Sequence, residues 1–406
     1  MASSVVASIE DGGLAEEEMR VLAELGILVV SHAEERREML GYIDELNAID
    51  TELSFMLVMN LDCNLACPYC FEGSRRGKYY MSRETAGHFV AFTDNNMTPG
   101  RDGLDICFYG GEPLLSVCLI EDMAVCLKTI AEKKGVRFSF SLTTNGVLLT
   151  PAVIKRLKPL GLSGAVITLD GPDYTHNETR PFADGTGSFE LITDNISDVC
   201  KEIDITINGN FSRANYLQFP QLFAQLTGKG ISPDNVKCVK FNPVVQERKG
   251  IVSADFSGGC RSINETWLFE AGRHLRQETI NKGFPVCEVA PAICMVEKKN
   301  IYTVNYDGGI YKCPGLIGQP EFKVGDVVNG VDDYSASHGL DNWKNEKCLD
   351  CVYLPLCFGG CRYMSLLGGG DITGLDCRKP YYDACLEGLV RQDIELGRRK
   401  SGSQAV

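Results

Sequence analysis

The sequence predicts an α/β fold, a partial (β/α)6 barrel of the TIM type, with a small α/β segment before it and a cysteine-rich domain after it. Three observations predict it. From residue 55 to about 243, short β-branched runs alternate with longer amphipathic ones, the pattern of repeated βα units. Directly behind the first run stand Cys63, Cys67 and Cys70, spaced C-x3-C-x2-C. Beyond residue 284 cysteine and glycine dominate.

In chain order, residues 1–50 read as a segment of their own. Apolar residues at helical spacing over 16–25 end at Gly26, a short strand follows at 27–30, and a charged helix covers about 34–46. Residues 51–245 form the barrel, with strands at 55–61, 104–109, 137–142, 165–169, 203–207 and 236–241. Helices fall between them at 83–94, 115–134, 151–157, 189–200 and 216–226, and a helix after residue 245 would complete six units. Right-handed βα crossovers build a parallel sheet, and six units leave one side of the barrel open. Residues 246–285 are a connector with a helix over 263–281, residues 286–390 the cysteine-rich domain, and residues 391–406 a polar tail that frays from 398 onward.

A chain of 406 residues, 44% hydrophobic, can bury a large core. Its longest apolar runs fall far short of the ~20 residues a membrane span needs, and its N-terminus lacks the basic and apolar regions of a signal peptide, so no membrane association and a cytoplasmic location are expected. A formal net charge of −14 argues against nucleic acid, whose binders need clustered Lys and Arg. Eighteen cysteines in a reducing compartment point to metal clusters rather than disulfides.

Three thiolates in one short loop can hold three irons of a four-iron cluster and leave the fourth open. The alternatives are a zinc site or buried core cysteines, but zinc loops usually join two C-x2-C pairs to close four positions. This loop, with Tyr69 inside it, resembles the signature of the radical S-adenosylmethionine (SAM) enzymes. The resemblance implies that the open iron chelates the amino and carboxylate groups of SAM, that Tyr69 lies against the adenine, and that one electron cleaves SAM to methionine and a 5'-deoxyadenosyl radical.

In a parallel barrel the working groups stand at the C-terminal ends of strands. After the second strand comes Tyr109-Gly110-Gly111-Glu112-Pro113, where glycines allow close approach of the backbone and a carboxylate can accept from an amine. It resembles the family's motif for the methionine amino group. Thr143-Thr144-Asn145-Gly146 and Thr168-Leu-Asp170-Gly171 contain ordinary turn pairs. In this register they resemble the family's third- and fourth-strand motifs, which places Thr144, Asn145, Thr168 and Asp170 near SAM or substrate and makes Arg180 a partner for the SAM carboxylate. Asn208 and Asn210 end the fifth strand comparably. His176 is assigned a hydrogen-bonded surface role rather than a catalytic one. No residue is assigned as a catalytic acid or base.

The second constellation is Cys294-x13-Gly308-x4-Cys313, then Cys348-x2-Cys351-x5-Cys357-x3-Cys361, then Cys377. A two-zinc domain is the alternative, since thiolates alone do not separate zinc from iron. The pattern resembles the SPASM domain, which carries two auxiliary four-iron clusters. The match gives Cys294, Cys313 and Cys361 to the first and Cys348, Cys351, Cys357 and Cys377 to the second, three 4Fe-4S clusters in all with that of the barrel. Seven cysteines for eight positions leave one open, and Cys287 is the candidate to close it. Residues 305–311 read as a hairpin with a Gly-rich turn. Cys107, Cys118, Cys126, Cys200, Cys238 and Cys260 fit no ligand spacing and are expected to be small buried hydrophobes, and Cys385 is unassigned.

Within the family, residues 1–50 resemble the winged segment of peptide-modifying members, which would dock a leader peptide by strand addition. The expected function is therefore maturation of a ribosomally made precursor peptide, most directly a cysteine thioether crosslink, with a flavodoxin or ferredoxin-type electron donor. One alternative is a sulfatase maturase forming formylglycine, but those members place Asp after the second SPASM cysteine, where this chain has Pro314. The other is an electron-transfer protein without SAM chemistry, which would have no use for Glu112.

Overall fold

The computed structural model describes residues 15–24, 29, 31–48, 51–70, 72–246 and 259–403. The chain divides into two compact units between residues 50 and 51. The first contains helices α1 (Glu16–Glu24) and α2 (His32–Ala48). The strand expected at 27–30 falls outside the described residues except for Val29, which is not in a strand.

The second unit is built on one ten-stranded sheet in the order β10-β9-β8-β7-β1-β2-β3-β4-β5-β6. Strands β1 (Glu52–Val58), β2 (Gly103–Tyr109), β3 (Arg137–Thr144), β4 (Leu162–Thr168), β5 (Asp204–Phe211) and β6 (Cys238–Pro243) are parallel neighbours in that order, as the partial barrel requires. Between them run α3 (Arg83–Asn96), α4 (Val117–Lys134), α5 (Pro151–Leu157), α6 (Asp173–Thr179), α7 (Phe189–Val199) and α8 (Phe219–Gly228). The helix starts follow local chemistry. Ser82 accepts from Thr85 N–H at the head of α3, and Thr150 caps α5 with Pro151 in its first turn, contacts worth about 1 kcal/mol each. α4 stops at Gly135, whose φ of 69° suits glycine.

Alternation along the strands sorts the two faces. Leu57, Phe108, Leu142, Ile167 and Ile207 are fully buried in the main hydrophobic core. Their neighbours Met56, Thr143, Val166, Thr168 and Asn208 line a cavity on the other face.

The connector helix is α9 (Thr266–Asn281), and the hairpin read at 305–311 is formed by β7 (Ile301–Val304) and β8 (Gly309–Tyr311), antiparallel to each other. Beyond that reading, β7 also pairs in parallel with β1, so the hairpin extends the barrel sheet, and β9 (Gly325–Asp326) and β10 (Gly330–Val331) continue it. Among the C-terminal cysteines, Cys348 lies in the short helix α10 (Glu346–Leu349), Cys357 ends α11 (Leu354–Cys357) and Cys361 directly precedes α12 (Arg362–Leu367).

The last element corrects the expectation of a frayed tail, because α13 runs from Lys379 to Ser403. Tyr382, Cys385, Leu389, Gln392 and Leu396 make a buried stripe at helical spacing. Gln392 donates to the Arg273 carbonyl of α9 at 3.0 Å. Among the described residues no helix is long and apolar enough to cross a membrane.

Candidate active site

Cys63, Cys67 and Cys70 leave β1 at the C-terminal end of the barrel and line one cavity of about 500 Å³. The loop is stitched to the end of β2: Met59 N–H donates to Tyr109 O (2.8 Å), Gly111 N–H to Asn60 O (3.0 Å) and Glu112 N–H to Asp62 O (2.8 Å). Here the glycine pair has a structural reason. A Cβ on Gly110 would stand 2.4 Å from Asn60 O, and one on Gly111 2.2 Å from Asp62 O. The two glycines therefore let β2 lie against the cysteine loop's own backbone. On its other side the loop bonds to the segment after α6, where Ala66 N–H donates to Pro181 O at 2.8 Å.

Burial pushes the Cys63 thiol up to about 11 and raises Cys67 and Cys70 as well, while the positive charges of Arg76 and Arg180 oppose the shift at Cys67. Buried thiols in this state become good ligands when a cationic group takes up their charge. The same cavity is lined by Arg180, whose buried Nε has no hydrogen-bond partner, and by Glu72, whose two buried oxygens have none. Three soft sulfur donors beside unsatisfied polar groups of both signs fit a four-iron cluster with a zwitterionic ligand.

The other predicted residues fall into two groups. Tyr69, Gly110, Gly111, Thr144, Asn145, Thr168 and Arg180 line the cavity, as do Asn208 and Asn210. Asn145 Nδ2 lies 2.7 Å from Asn64 Oδ1 and 3.7 Å from Cys63 Sγ, which braces the cysteine loop from β3. Glu112 and Asp170 stand behind the wall, and both are fully buried.

Glu112 accepts from Thr144 Oγ1 (2.8 and 2.9 Å), Asn145 N–H (2.8 Å) and Leu114 N–H (3.0 Å). Burial raises its pKa against those bonds. Yet both oxygens face backbone N–H groups, so the ionised form suits the geometry. Its side chain joins the ends of β2 and β3.

Asp170 accepts from the hydroxyl of Tyr69, which also receives Arg180 Nη1 at 3.0 Å and Asn210 Nδ2 at 3.2 Å. Tyr69 is thus pinned by its hydroxyl while its ring faces the cavity. His176 is hydrogen-bonded as expected but is fully buried rather than on the surface, with Nε2 3.1 Å from Ser188 Oγ and Nδ1 receiving Asp170 N–H, and burial holds its pKa well below the usual range.

In the C-terminal region, Cys313, Cys361 and Cys294 are electrostatic neighbours, and burial drives Cys313 above the thiol range. Cys348, Cys351, Cys357 and Cys377 form a second such set. Asn345 caps α10 by accepting from Cys348 N–H at 3.1 Å. Gly360, at φ 77°, passes so close to Asp376 O that a Cβ would stand 2.0 Å away. The fully buried Arg362 ties the region together, donating to Gly374 O (3.1 Å) and Gly339 O (2.8 Å) and pairing with Glu297.

Two expectations about cysteines need correction. Cys287, expected beside Cys294, has its Sγ 2.8 Å from Cys238 Sγ of β6. Cys118 and Cys126 are exposed on α4, and Cys107 and Cys238 are half-buried, so only Cys200 and Cys260 of that group are fully buried hydrophobes.

Glu72, Arg76, Lys240, Asn242 and Tyr363 also line the cavity, and sequence reading did not single them out. Lys240 and Asn242 had a signal, since they continue in β6 the alternation that puts Asn208 and Asn210 inward. Tyr363 reaches the cavity from α12 and had none.

Residues 57–210 match the model of the Radical SAM superfamily. This chain carries a radical SAM domain. It is an enzyme, and the chemistry of that domain's superfamily uses a 4Fe-4S cluster and SAM. Over 346 residues the chain is 25% identical to the radical SAM cyclopropyl synthase TigE of Paramaledivibacter caminithermalis, covering 76% of this chain and 67% of that one. It is 22% identical over 360 residues to the mycofactocin maturase MftC of Mycobacterium tuberculosis, covering 81% and 83%. Among solved structures, native anSMEcpe with bound AdoMet and the Kp18Cys peptide superposes with a TM-score of 0.65 at 19% identity, covering 84% of this chain and 98% of that one, which shows a shared fold.

Proposed function

We propose that this radical SAM enzyme is a peptide maturase that abstracts hydrogen from a residue of a ribosomally made precursor peptide and closes a crosslink, a cysteine thioether. The observation that carries the reading is the cavity itself: three thiols at its head, a polar inner wall, and Tyr363 of the cysteine-rich region in its lining. Likeness to a maturase in sequence and to a peptide-bound enzyme in fold supports it.

Cys63, Cys67 and Cys70 would hold the barrel cluster. When bound, that cluster with SAM supplies one-electron reductive cleavage and hence a hydrogen-abstracting radical. Arg180 offers a buried guanidinium N–H to a carboxylate. Asn208, Asn210, Asn242 and Lys240 present donors along the inner wall, suited to the carbonyls of a peptide main chain.

Cys348, Cys351, Cys357 and Cys377 would hold one auxiliary 4Fe-4S cluster, and Cys294, Cys313 and Cys361 another. With Cys287 engaged by Cys238, this second set numbers three thiols, which leaves room for a thiol from the substrate and favours the thioether. Residues 1–50 would dock the leader, and a flavodoxin or ferredoxin-type protein would deliver electrons in the cytoplasm.

The test is anaerobic incubation of reconstituted protein with SAM, dithionite and cysteine-bearing peptides encoded beside its gene. Release of 5'-deoxyadenosine with a peptide lighter by two hydrogens and lacking one free thiol is expected. No 5'-deoxyadenosine would mean electron transfer alone. A carbonyl in place of the cysteine sulfur would mean formylglycine formation, and 5'-deoxyadenosine with every peptide unchanged would remove the peptide reading.

A further inference from the structure

β6 borders the open side of the barrel and carries a sulfur pair that the proposed chemistry does not use. Cys238 opens the strand and Cys287 lies 49 residues later, yet their Sγ atoms are 2.8 Å apart, closer than van der Waals contact between two sulfurs. The juxtaposition is built from three sides. Val239 N–H donates to Pro285 O at 2.8 Å, and Val239 and Val286 form a parallel bridge, so residues 285–287 lie along the free edge of β6. The Cys287 carbonyl accepts Arg276 Nη2 of α9 at 3.1 Å. Arg276 is ion-paired with Asp393 of α13, whose Oδ2 also accepts Val289 N–H at 3.0 Å. The backbone around Cys287 is thus held by a strand and two helices, and its side chain is exposed while Cys238 is half-buried.

We propose that Cys238 and Cys287 are a reversible dithiol–disulfide couple that fastens the edge strand of the barrel to the segment entering the cysteine-rich domain. The oxidant is a low-molecular-weight disulfide such as oxidised glutathione. Exposed Cys287 attacks one sulfur of that disulfide and releases one glutathione thiol. Cys238 then attacks the Cys287 sulfur of the mixed disulfide and releases the second. One S–S bond breaks in glutathione and one forms in the protein. Two electrons pass from the pair to glutathione, and the protons of the two protein thiols end on the two glutathione thiols. Because Lys240, Asn242 and Pro243 of the same strand line the cavity, the bond fixes that edge of its mouth.

The experiment takes anaerobically reconstituted holoenzyme, treats it with oxidised glutathione or with dithiothreitol, then denatures, alkylates and digests it without reduction. The expected result is a peptide pair linked through Cys238 and Cys287 after glutathione disulfide alone, with loss of both thiols to alkylation and unchanged iron. In Cys238→Ser the link disappears and Cys287 is recovered as a glutathione adduct. Recovery of both cysteines alkylated after oxidation would overturn the proposal, as would a link that forms only once iron has left. Loss of about one four-iron unit in Cys287→Ser would also overturn it, because Cys287 would then be a cluster ligand.

Discussion

Replacing Glu112 by glutamine removes a charge and introduces a donor into a pocket made of donors. The carboxylate takes Asn145 N–H on one oxygen and Leu114 N–H on the other, with Thr144 Oγ1 within bonding distance of both. In either orientation of the substituted side chain, its amide NH₂ meets one of the two backbone N–H groups. Thr144 Oγ1 can accept one of the amide hydrogens, and the other opposes a donor in a fully buried site. A buried unsatisfied donor costs about 1–3 kcal/mol and a charge-assisted bond contributes about 1.5–3 kcal/mol, so a net loss of about 3 kcal/mol is expected. The assay is anaerobic urea denaturation of Glu112→Gln, Thr144→Val and the double variant. Two side chains in direct contact should show a coupling of roughly 0.5–3 kcal/mol. An unchanged denaturation midpoint together with at least about tenfold weaker SAM binding would refute the reasoning and return the carboxylate to the ligand.

Alanine at Cys63, Cys67 and Cys70 together should abolish 5'-deoxyadenosine formation and lower iron by about four per chain, leaving the rest in place; undiminished SAM cleavage would show that the active cluster lies elsewhere. Gly111→Ala pushes a Cβ to 2.2 Å from Asp62 O, so the cysteine loop must move. A shift of about 1 Å at a reacting centre is worth about a hundredfold in rate, and SAM turnover at the parental rate would contradict the close approach. Glu72 has its carboxyl pushed up to about 7 from 4.5, mainly by burial. Its folded-state pKa therefore exceeds the unfolded one, and the stability it contributes is complete below about 4.5 and is lost as pH rises through 7. Relative to Glu72→Gln, the parent should lose up to about 3 kcal/mol between pH 4.5 and 8, read from denaturation midpoints across that range, and parallel profiles would count against it.

The six barrel strands were legible because their β-branched runs alternate with amphipathic stretches. Where bounds moved, tertiary packing moved them. β5 runs on to Phe211 through Gly209, where a Cβ would meet Phe219 and Phe241, so a segment that read as a strand end is a strand packed against α8. α6 was invisible, since Asp173–Thr179 contains Tyr174 as its sole large apolar residue and buries Thr175 and His176. α13 was missed because its buried stripe holds a cysteine and a glutamine where leucine would signal a helix. That Cys294, Cys313 and Cys361 lie near one another, and Cys348, Cys351 and Cys377 likewise, was legible through the family resemblance of their spacing. The place of Cys287 was not, since its partner arrives through a β6 edge contact that spacing along the chain does not encode. Likewise the motif around Glu112 fixed its position but left open which way the side chain turns.

The cysteine-rich region shares a sheet with the barrel, and this bears on how the cysteine loop is held. β7 pairs with β1 from Ser54–Ile301 to Leu57–Val304, so the strand that delivers Cys63, Cys67 and Cys70 is an interior strand with neighbours on both sides. The segment after the loop is clasped by the same region: Tyr79 stacks on Tyr306 with ring centroids 5.6 Å apart, and Arg75 donates to the Ile317 carbonyl. Tyr363 then completes the cavity wall together with Cys70 and Glu72. A displacement of the hairpin would free an edge of β1, loosen the cysteine loop and open the wall of the cavity together. The C-terminal region therefore also holds the geometry of the barrel site, because its β7 is a neighbour of β1 and its Tyr306 and Ile317 clasp the segment after the cysteine loop.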